Sequence, residues 1–207
     1  MNSISITWNG HSCFTIEKDG FSIVLDPYGP NTVPGLAPLS LTADMVLCSH
    51  EHGDHGYRDA VALKDSGVRD PFSITKIDTW HDPEQGALRG PNRIHILEAD
   101  ELRIAHMGDI GCPLTREQKD LLKRIDAILI PVGGYYTIDA VQAKAMVDEL
   151  APRVVIPMHY RSDHFGYPVI GRLEEFTRLC RNVVEYDSNT LVLTAETRPQ
   201  TAVLKLK

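Results

Sequence analysis

The sequence lacks the features that mark disulfide-stabilised, membrane-spanning or nucleic-acid-binding proteins. Its four cysteines are scattered and form no Cys-x-x-Cys pair, so we expect a reduced chain with small buried thiols. No run of Lys and Arg marks a basic patch, and the net charge is −7, which argues against a general nucleic-acid binder. No apolar run approaches the ~20 residues that a membrane-spanning helix needs.

The sequence also shows no pattern that predicts a targeting segment or a linker. The first residues contain no basic region followed by a long apolar stretch, so we expect no signal peptide and a cytoplasmic location. No Gly- and Ser-rich linker, low-complexity tract or clear repeat divides the chain. With 207 residues and an ordinary hydrophobic content of 43 %, the chain is expected to form a single domain over residues 1–207.

Predicted strands come first along the chain, and helices alternate with strands afterwards. Alternating apolar residues predict a strand over residues 4–8, and the pair Asp19-Gly20 predicts the turn of a hairpin over residues 13–25. This order favours an α/β (α+β) fold of mixed sheets with helices packed outside them. Helices are predicted over residues 56–64, after Thr115, over residues 137–150 with Thr137 as N-cap, and over residues 170–181.

The most informative segment follows the apolar run 45–48. His50, His52, Asp54 and His55 lie within six positions, and imidazole and carboxylate are ligands of divalent metals such as Zn²⁺. His50 and His52 are two apart on an extended segment, so they point to the same side and can bind one metal. Asp54 and His55 lie beyond them, towards a second position. A solvated polar loop is the alternative, but the density of ligand residues argues against it.

Other apolar runs also end in a residue that can bind a metal. His81, Asp109 and His159 each follow a strand-like run, and the side chains would converge in one cleft if these strands share a sheet edge. His81 would then complete the first metal site and His159 the second, with Asp109 as a bridging carboxylate. His95 and His106 are alternatives to His81.

Together with the segment Trp-Asn-Gly-His-Ser at residues 8–12, these motifs resemble the metallo-β-lactamase superfamily. The closest resemblance is to small metal-dependent hydrolases related to ascorbate-phosphate lactonases, and it covers essentially the whole chain in the right order. It implies a four-layer αβ/βα sandwich with mixed sheets and a dinuclear site at one edge. One departure is Ile110, which stands where the family often has Thr after the Gly-Asp pair. By this resemblance His50, His52 and His81 hold one metal, and Asp54, His55 and His159 hold the other, with Asp109 between them.

The ligand set and the resemblance predict a metal-dependent hydrolase. A metal-bridging hydroxide would attack an ester, lactone, amide or phosphodiester centre of a small substrate. Two Zn²⁺ ions are the expected cofactors, with Mn²⁺ or Fe²⁺ as alternatives. Two other activities of this fold stay open: an iron-dependent oxidase or sulfur dioxygenase, and a nucleic-acid-processing nuclease. The full His-x-His-x-Asp-His motif with Asp109 favours hydrolysis, and the negative net charge counts against the nuclease.

Three side chains are candidates for a catalytic role. Asp54 can accept a proton from the attacking water if one of its oxygens is free of metal. His11 occupies a position that lies beside the metals in the resembling family, and His106 is a candidate proton donor. For both histidines the alternative is a buried ring that is hydrogen-bonded within the core.

The expected partner is a small-molecule substrate, for which an anionic group is one option, rather than nucleic acid or a membrane. Arg161 is expected on a loop at the cleft mouth, where it can meet a phosphate or carboxylate. The pair Gly133-Gly134 precedes a helix start that suits an anion, although a simple tight loop is the alternative. His164 is a reserve metal ligand. A homo-oligomer stays open.

Overall fold

Two β-sheets packed face to face form most of the fold. The computed structural model describes residues 2–206. The strands are β1 (Ser3–Gly10), β2 (Cys13–Lys18), β3 (Phe21–Leu25), β4 (Leu41–Ala43), β5 (Met45–Leu47), β6 (Val61–Leu63), β7 (Ser73–Trp80), β8 (Pro91–Ala99), β9 (Leu102–His106), β10 (Ala127–Pro131), β11 (Val154–Met158), β12 (Val183–Glu185), β13 (Thr190–Thr194) and β14 (Gln200–Val203). The helices are α1 (Arg116–Leu121), α2 (Ala140–Leu150) and α3 (Leu173–Thr177).

The first sheet has five strands in the order β13-β1-β2-β3-β5. Its pairs are antiparallel except for β3 and β5, which run parallel. The predicted hairpin over residues 13–25 is confirmed. Asp19 and Gly20 have φ angles of 51° and 87°, the left-handed backbone that a two-residue hairpin turn requires.

The second sheet has seven strands in the order β12-β14-β11-β10-β9-β8-β7. Strands β9, β10, β11, β14 and β12 pair in parallel, whereas β7 and β8 are antiparallel to their neighbours. Every residue of β10 and β11 is buried, which explains their nearly continuous apolar sequence. Because β9, β10 and β11 run in the same direction, their carboxyl ends lie at one edge of this sheet.

The core lies between the two sheets. Ile6 and Phe14 of the first sheet belong to the same buried cluster as Ile104 and Ile156 of the second. Ala143 of α2 and Phe176 of α3 join this cluster, so these two helices pack against the buried strands. These layers confirm the predicted sandwich of mixed sheets. No helix among residues 2–206 is long and apolar enough to cross a lipid bilayer.

The outer layer on the first sheet departs from the sequence prediction. Instead of a helix over residues 56–64, the chain makes a 3₁₀ turn at Arg58–Ala60 and then enters β6, which pairs with β4. The backbone N–H of Tyr57 donates to the carbonyl of Pro27 at 2.9 Å. This bond ties the segment to the loop after β3, and the pairing with β4 keeps Val61–Leu63 extended rather than helical.

Two helix boundaries were also predicted wrongly. Helix α2 begins after Asp139 rather than Thr137, because Asp139 accepts from the Gln142 N–H at 2.9 Å and completes a capping box. Helix α3 spans only Leu173–Thr177 of the predicted 170–181. The helix predicted after Thr115 is confirmed, with Thr115 as its N-cap.

Shortening Phe14 tests the packing between the two sheets. Phe14 is fully buried, so Phe14→Ala should lower the free energy of unfolding by about 3–5 kcal/mol. The measurement is chemical denaturation followed by circular dichroism. Val192→Ala is the control, since Val192 is 55 % exposed and its change should stay within about 0.5 kcal/mol. Equal losses for the two variants would contradict the assigned core.

Candidate metal centre

Five segments of the chain bring histidine and aspartate side chains together. They are the turn between β1 and β2, the loop after β5, and the residues that follow β7, β9 and β11. His11 and His159 have φ angles of 50° and 53°, a left-handed backbone that is costly for residues other than glycine. Such strain persists where the surrounding structure imposes it, and it is common at functional sites.

The first group of potential ligand atoms belongs to His50, His52 and His81, and these atoms lie within 4.8 Å of one another. The ring centroid of His50 is 4.6 Å from that of His52 and 4.8 Å from that of His81. His81 Nδ1 lies 3.1 Å from the Tyr136 carbonyl oxygen, a bond that requires the proton on Nδ1 and leaves Nε2 free as a ligand. These three residues are the set that the sequence predicts for one metal.

The second group contains Asp54, His55 and His159, the set predicted for the other metal, together with His11. The rings of His11 and His159 are 4.1 Å apart, and His11 Nε2 lies 3.4 Å from an Asp54 carboxylate oxygen. His11 was predicted as a catalytic residue, and the structure places one of its ring nitrogens among the potential ligand atoms of this group.

Asp109 lies between the two groups. Its Oδ2 atom is 3.1 Å from Nε2 of His55, 3.1 Å from Nε2 of His159 and 3.3 Å from Nε2 of His81. The residue is 1 % exposed. One carboxylate thus contacts histidines of both groups, which is the position that a bridging ligand requires.

Buried polar atoms without partners are concentrated in these groups. Among residues 2–206, nine buried side-chain nitrogen or oxygen atoms lack a hydrogen-bond partner, and seven of them belong to His11, His50, His55, Asp109 and His159. Leaving such atoms unpaired is costly. Metal coordination would satisfy atoms of this kind, and nitrogen and carboxylate donors suit Zn²⁺. The residues present therefore fit a metal centre.

Electrostatics keeps part of the cluster neutral and part charged. Burial, together with nearby His55, lowers the pKa of His50 to about 3, and burial with nearby His159 lowers the pKa of His11 to about 4. Burial also opposes charge on His55, but Asp109 and Asp54 outweigh it and raise the pKa of His55. The pKa of Asp109 is lowered by His159 and His55 despite its burial. Neutral His50 beside ionised Asp109 has the protonation state that metal binding needs, whereas His55 must release its proton when it binds a metal.

Asp26 orients one histidine in each of the two groups. This fully buried carboxylate accepts from the Ser49 N–H and the Ser49 hydroxyl, both at 2.6 Å, and lies 2.8 Å from His55 Nδ1. The Ser49 hydroxyl oxygen is in turn 2.9 Å from His50 Nδ1. Asp26 therefore orients His55 directly and His50 through Ser49, so that Nε2 of each ring points into the cluster.

Asn92 and Gly108 hold the loop that carries Asp109. The Asn92 side chain accepts from the Asp109 N–H at 2.8 Å and donates to Thr79 Oγ1 and the Met107 carbonyl. A Cβ atom on Gly108 would lie 2.3 Å from Asn92 Oδ1, and its φ is 55°, so glycine is required here. No local sequence pattern marks Asn92, because its partners come from neighbouring strands.

The structure does not bring His106 into either group. One ring nitrogen lies 2.9 Å from the Ser12 carbonyl and the other accepts from the Gly108 N–H at 3.2 Å. This geometry favours the alternative of a hydrogen-bonded core histidine over the predicted catalytic role, because neither ring nitrogen is free. His95, the other alternative to His81, is buried in β8 and also lies outside the groups.

Two loop residues are also placed away from the cluster. His164 is exposed and contributes no ligand atom to the groups found among the described residues. The Arg161 side chain donates to the Ile170 carbonyl at 2.7 Å and borders a different cavity, lined by Trp8 and Tyr160 among others. Arg161 is therefore not positioned to meet a substrate at the metal centre.

A cavity of about 240 Å³ opens onto the cluster. The Tyr167 hydroxyl donates to an Asp54 carboxylate oxygen at 3.2 Å, and the Arg89 guanidinium lies 5.7 Å from the centre of the Tyr136 ring. Sequence analysis did not assign Arg89 to the site or identify the Tyr167 contact, which joins residues 113 positions apart. The lining residues are His52, Asp54, His81, Arg89, Asp109, Tyr136 and Tyr167.

Comparison with known proteins identifies the family. The model of the β-lactamase superfamily domain matches residues 5–159, the segment that carries every residue of both groups. The chain belongs to the metallo-β-lactamase superfamily. A UPF0173 metal-dependent hydrolase of Methanopyrus kandleri is 27 % identical in an alignment 210 positions long, which covers 84 % of this chain and 90 % of the relative. The predicted resemblance is thus confirmed, and the chain is a metal-dependent hydrolase of this superfamily.

Solved structures agree with this family. A protein of the superfamily from Thermotoga maritima superposes with a TM-score of 0.75 at 30 % identity, covering 99 % of this chain and 100 % of the other. Igni18, a metallo hydrolase from Ignicoccus hospitalis, superposes with a TM-score of 0.71 at 23 % identity, covering 94 % and 100 % of the two chains. The second comparison supports the fold alone.

Replacing Asp26 tests its role in orienting the histidines. Asp26→Asn preserves the shape but removes the charge that His55 and Ser49 face, so metal affinity should fall about 10- to 100-fold. Competition with a chromophoric chelator measures this. Asp44→Asn is the matched control, since Asp44 also accepts backbone N–H bonds, from Ser22 and Ser66, but outside the centre. Wild-type affinity in the Asp26 variant would disprove the role.

Proposed function

We propose that this hydrolase binds two zinc ions and cleaves an ester, lactone, amide or phosphodiester bond of a small substrate. His50, His52 and His81 would hold one ion, and Asp54, His55 and His159 the other, with Asp109 bridging. The observation that carries the proposal is the position of Asp109 Oδ2, within 3.3 Å of histidine nitrogens from both groups.

The ions would supply Lewis acidity and an activated water at neutral pH. The chain supplies orientation and proton handling. Asp26 and Ser49 fix His55 and His50, and the Tyr136 carbonyl fixes His81, so each ring presents Nε2. Pre-set donors of this kind need no rearrangement when the site is loaded.

Asp54 is the group best placed to receive the proton that an attacking water loses. Its side chain is 17 % exposed, unlike that of buried Asp109, and it borders the cavity. Tyr167 donates to one of its oxygens at 3.2 Å, which holds the carboxylate in place. General-base assistance requires hydrogen-bond reach to the attacking water, and a carboxylate on the cavity wall provides it.

His11 is proposed to position Asp54. Its ring is 3.4 Å from the Asp54 carboxylate on the side away from solvent, and the residue is 1 % exposed. The Trp8 indole N–H donates to the His11 carbonyl at 2.9 Å and stabilises the left-handed turn that directs the ring inward. His11 thus packs against the buried side of Asp54 within the second group.

Replacing Asp109 tests the bridging role. Asp109→Ala should reduce the metal content from about two ions per chain to one or none, because both groups lose a shared ligand. Elemental analysis of purified protein is the measurement, with Asp126→Ala as control for a carboxylate outside the centre. Two ions per chain in the Asp109 variant would refute the assignment. Iron in place of zinc in the wild type would favour the redox alternative.

Metal removal tests the hydrolase activity. Treatment with a chelator should abolish turnover of 4-nitrophenyl acetate, γ-butyrolactone or bis(4-nitrophenyl) phosphate, whichever of the three the protein accepts. Zinc should restore turnover, because a carboxylate such as Asp54 can accept a proton but the bound ions are what lower the pKa of the attacking water to near 7. Rates are followed by absorbance or proton release. Activity that survives complete metal removal would contradict the proposal.

A further inference from the structure

Arg89 stands apart from the other arginines near the site. Its side chain makes no hydrogen bond or ion pair with any residue in the described part of the chain, and its only assigned contact is with the Tyr136 ring. By contrast, Arg93 is paired with Asp78 at 2.7 Å and Arg58 with Glu51 at 2.7 Å. Arg89 is thus a partly buried residue that lines the cavity, and the N–H donors of its side chain are unused.

The loop between β7 and β8 fixes the position of Arg89. The buried carboxylate of Asp82 accepts the backbone N–H groups of Glu84, Gly86, Leu88 and Arg89 at 2.7–3.1 Å. Four bonds to one carboxylate make this loop a defined turn. Asp82 directly follows His81, so the same segment positions a potential metal ligand and the free cation.

Aromatic rings connect Arg89 to the proposed proton acceptor. The guanidinium is 5.7 Å from the Tyr136 ring centre, a cation–π distance. The Tyr136 and Tyr167 rings are 5.7 Å apart, and Tyr167 donates to Asp54. Arg89, the two tyrosines and Asp54 thus form one continuous wall of the cavity. A group bound to Arg89 lies close to the reacting centre.

Arg89 also lies at the boundary of two cavities. The smaller, of about 240 Å³, opens onto Asp54 and Asp109, and the larger, of about 520 Å³, extends over Glu51 and Arg93. Among residues 2–206, only His52 and Arg89 line both cavities. Any substrate that passes from the larger cavity to the smaller one therefore comes close to the guanidinium.

We propose that Arg89 binds an anionic group, a carboxylate or a phosphate, next to the scissile bond of the substrate. This rests on the proposed hydrolase function and names its substrate class as small anionic esters or lactones. The planar guanidinium matches two oxygens of such a group in a fork, and stacking on Tyr136 holds it in the required plane. Asp54 and Asp109 would repel an anion, but two divalent ions outweigh their charge when the centre is loaded.

A matched set of lactones tests the proposal in the zinc-loaded protein. Three γ-butyrolactones are compared, which carry a carboxylate, a phosphonate or a neutral carboxamide on the β carbon of the ring. We expect the wild type to prefer a charged lactone by about tenfold or more in kcat/KM, the effect of one charge-assisted hydrogen-bond pair. Arg89→Ala should lose this preference because the KM of the charged lactones rises. The better of the two charged lactones identifies carboxylate or phosphate as the preferred group.

The controls separate binding from folding and from chemistry. Arg93→Ala removes a cation from the larger cavity alone and should keep the wild-type preference, since Arg93 is already paired with Asp78. Arg89→Lys keeps the charge but loses the planar pair of N–H donors. Its preference for the charged lactones should therefore lie between those of the wild type and Arg89→Ala. The Asp82 bonds to the backbone of the loop remain in every variant, and thermal unfolding checks the fold.

Calorimetric titration gives a readout that does not depend on turnover. Cyclopentanecarboxylate, cyclopentylphosphonate and cyclopentanecarboxamide are titrated into wild type and Arg89→Ala. Tighter binding of an anion by wild type, lost in Arg89→Ala, supports the inference even if no lactone or ester is cleaved, in which case only the proposed reaction fails. Equal anion binding by both proteins, or equal binding of anion and amide by wild type, overturns it.

Discussion

A buried carboxylate surrounded by imidazole nitrogens is the constraint on which the rest of the site depends. Asp109 is 1 % exposed and lies within 3.3 Å of three histidine nitrogens. A charge in that position is tolerated only with cationic partners, and the two groups of ligand atoms on either side would hold such cations. The glycine at position 108, the amide of Asn92 and the carboxylate of Asp26 all serve to hold this arrangement in place.

The fold supplies this arrangement because chain ends of neighbouring strands meet where the two sheets join. Strands β9 and β11 flank β10 in parallel and deliver Asp109 and His159 to one edge. The first sheet delivers His11 after β1 and the histidine-rich loop after β5. Left-handed backbone at His11, Asp26 and His159 turns each chain sharply as its strand ends, so that the side chains point inward. The rigid core between the sheets compensates for that local strain.

Some of this could be predicted from the sequence because the signal is local. His50, His52, Asp54 and His55 follow one another within six residues, and the strands before His81, Asp109 and His159 are recognisable as apolar runs. The predictions that were wrong concern residues whose structure depends on contacts distant in sequence. The helix predicted over 56–64 gave way to the pairing of β6 with β4, and His106 has both ring nitrogens bonded to backbone groups. Arg161 was expected at the cleft, whereas the cation that lines the cavity among the described residues is Arg89, on a loop ordered by Asp82.

The central claim is that two ions lie on either side of Asp109. Anomalous diffraction at the zinc absorption edge, from crystals of zinc-loaded protein, tests it most directly. The account predicts two anomalous peaks, one against His50, His52 and His81 and the other against Asp54, His55 and His159, with Asp109 in contact with both. A single peak, or zinc bound elsewhere while these residues remain uncoordinated, would contradict it.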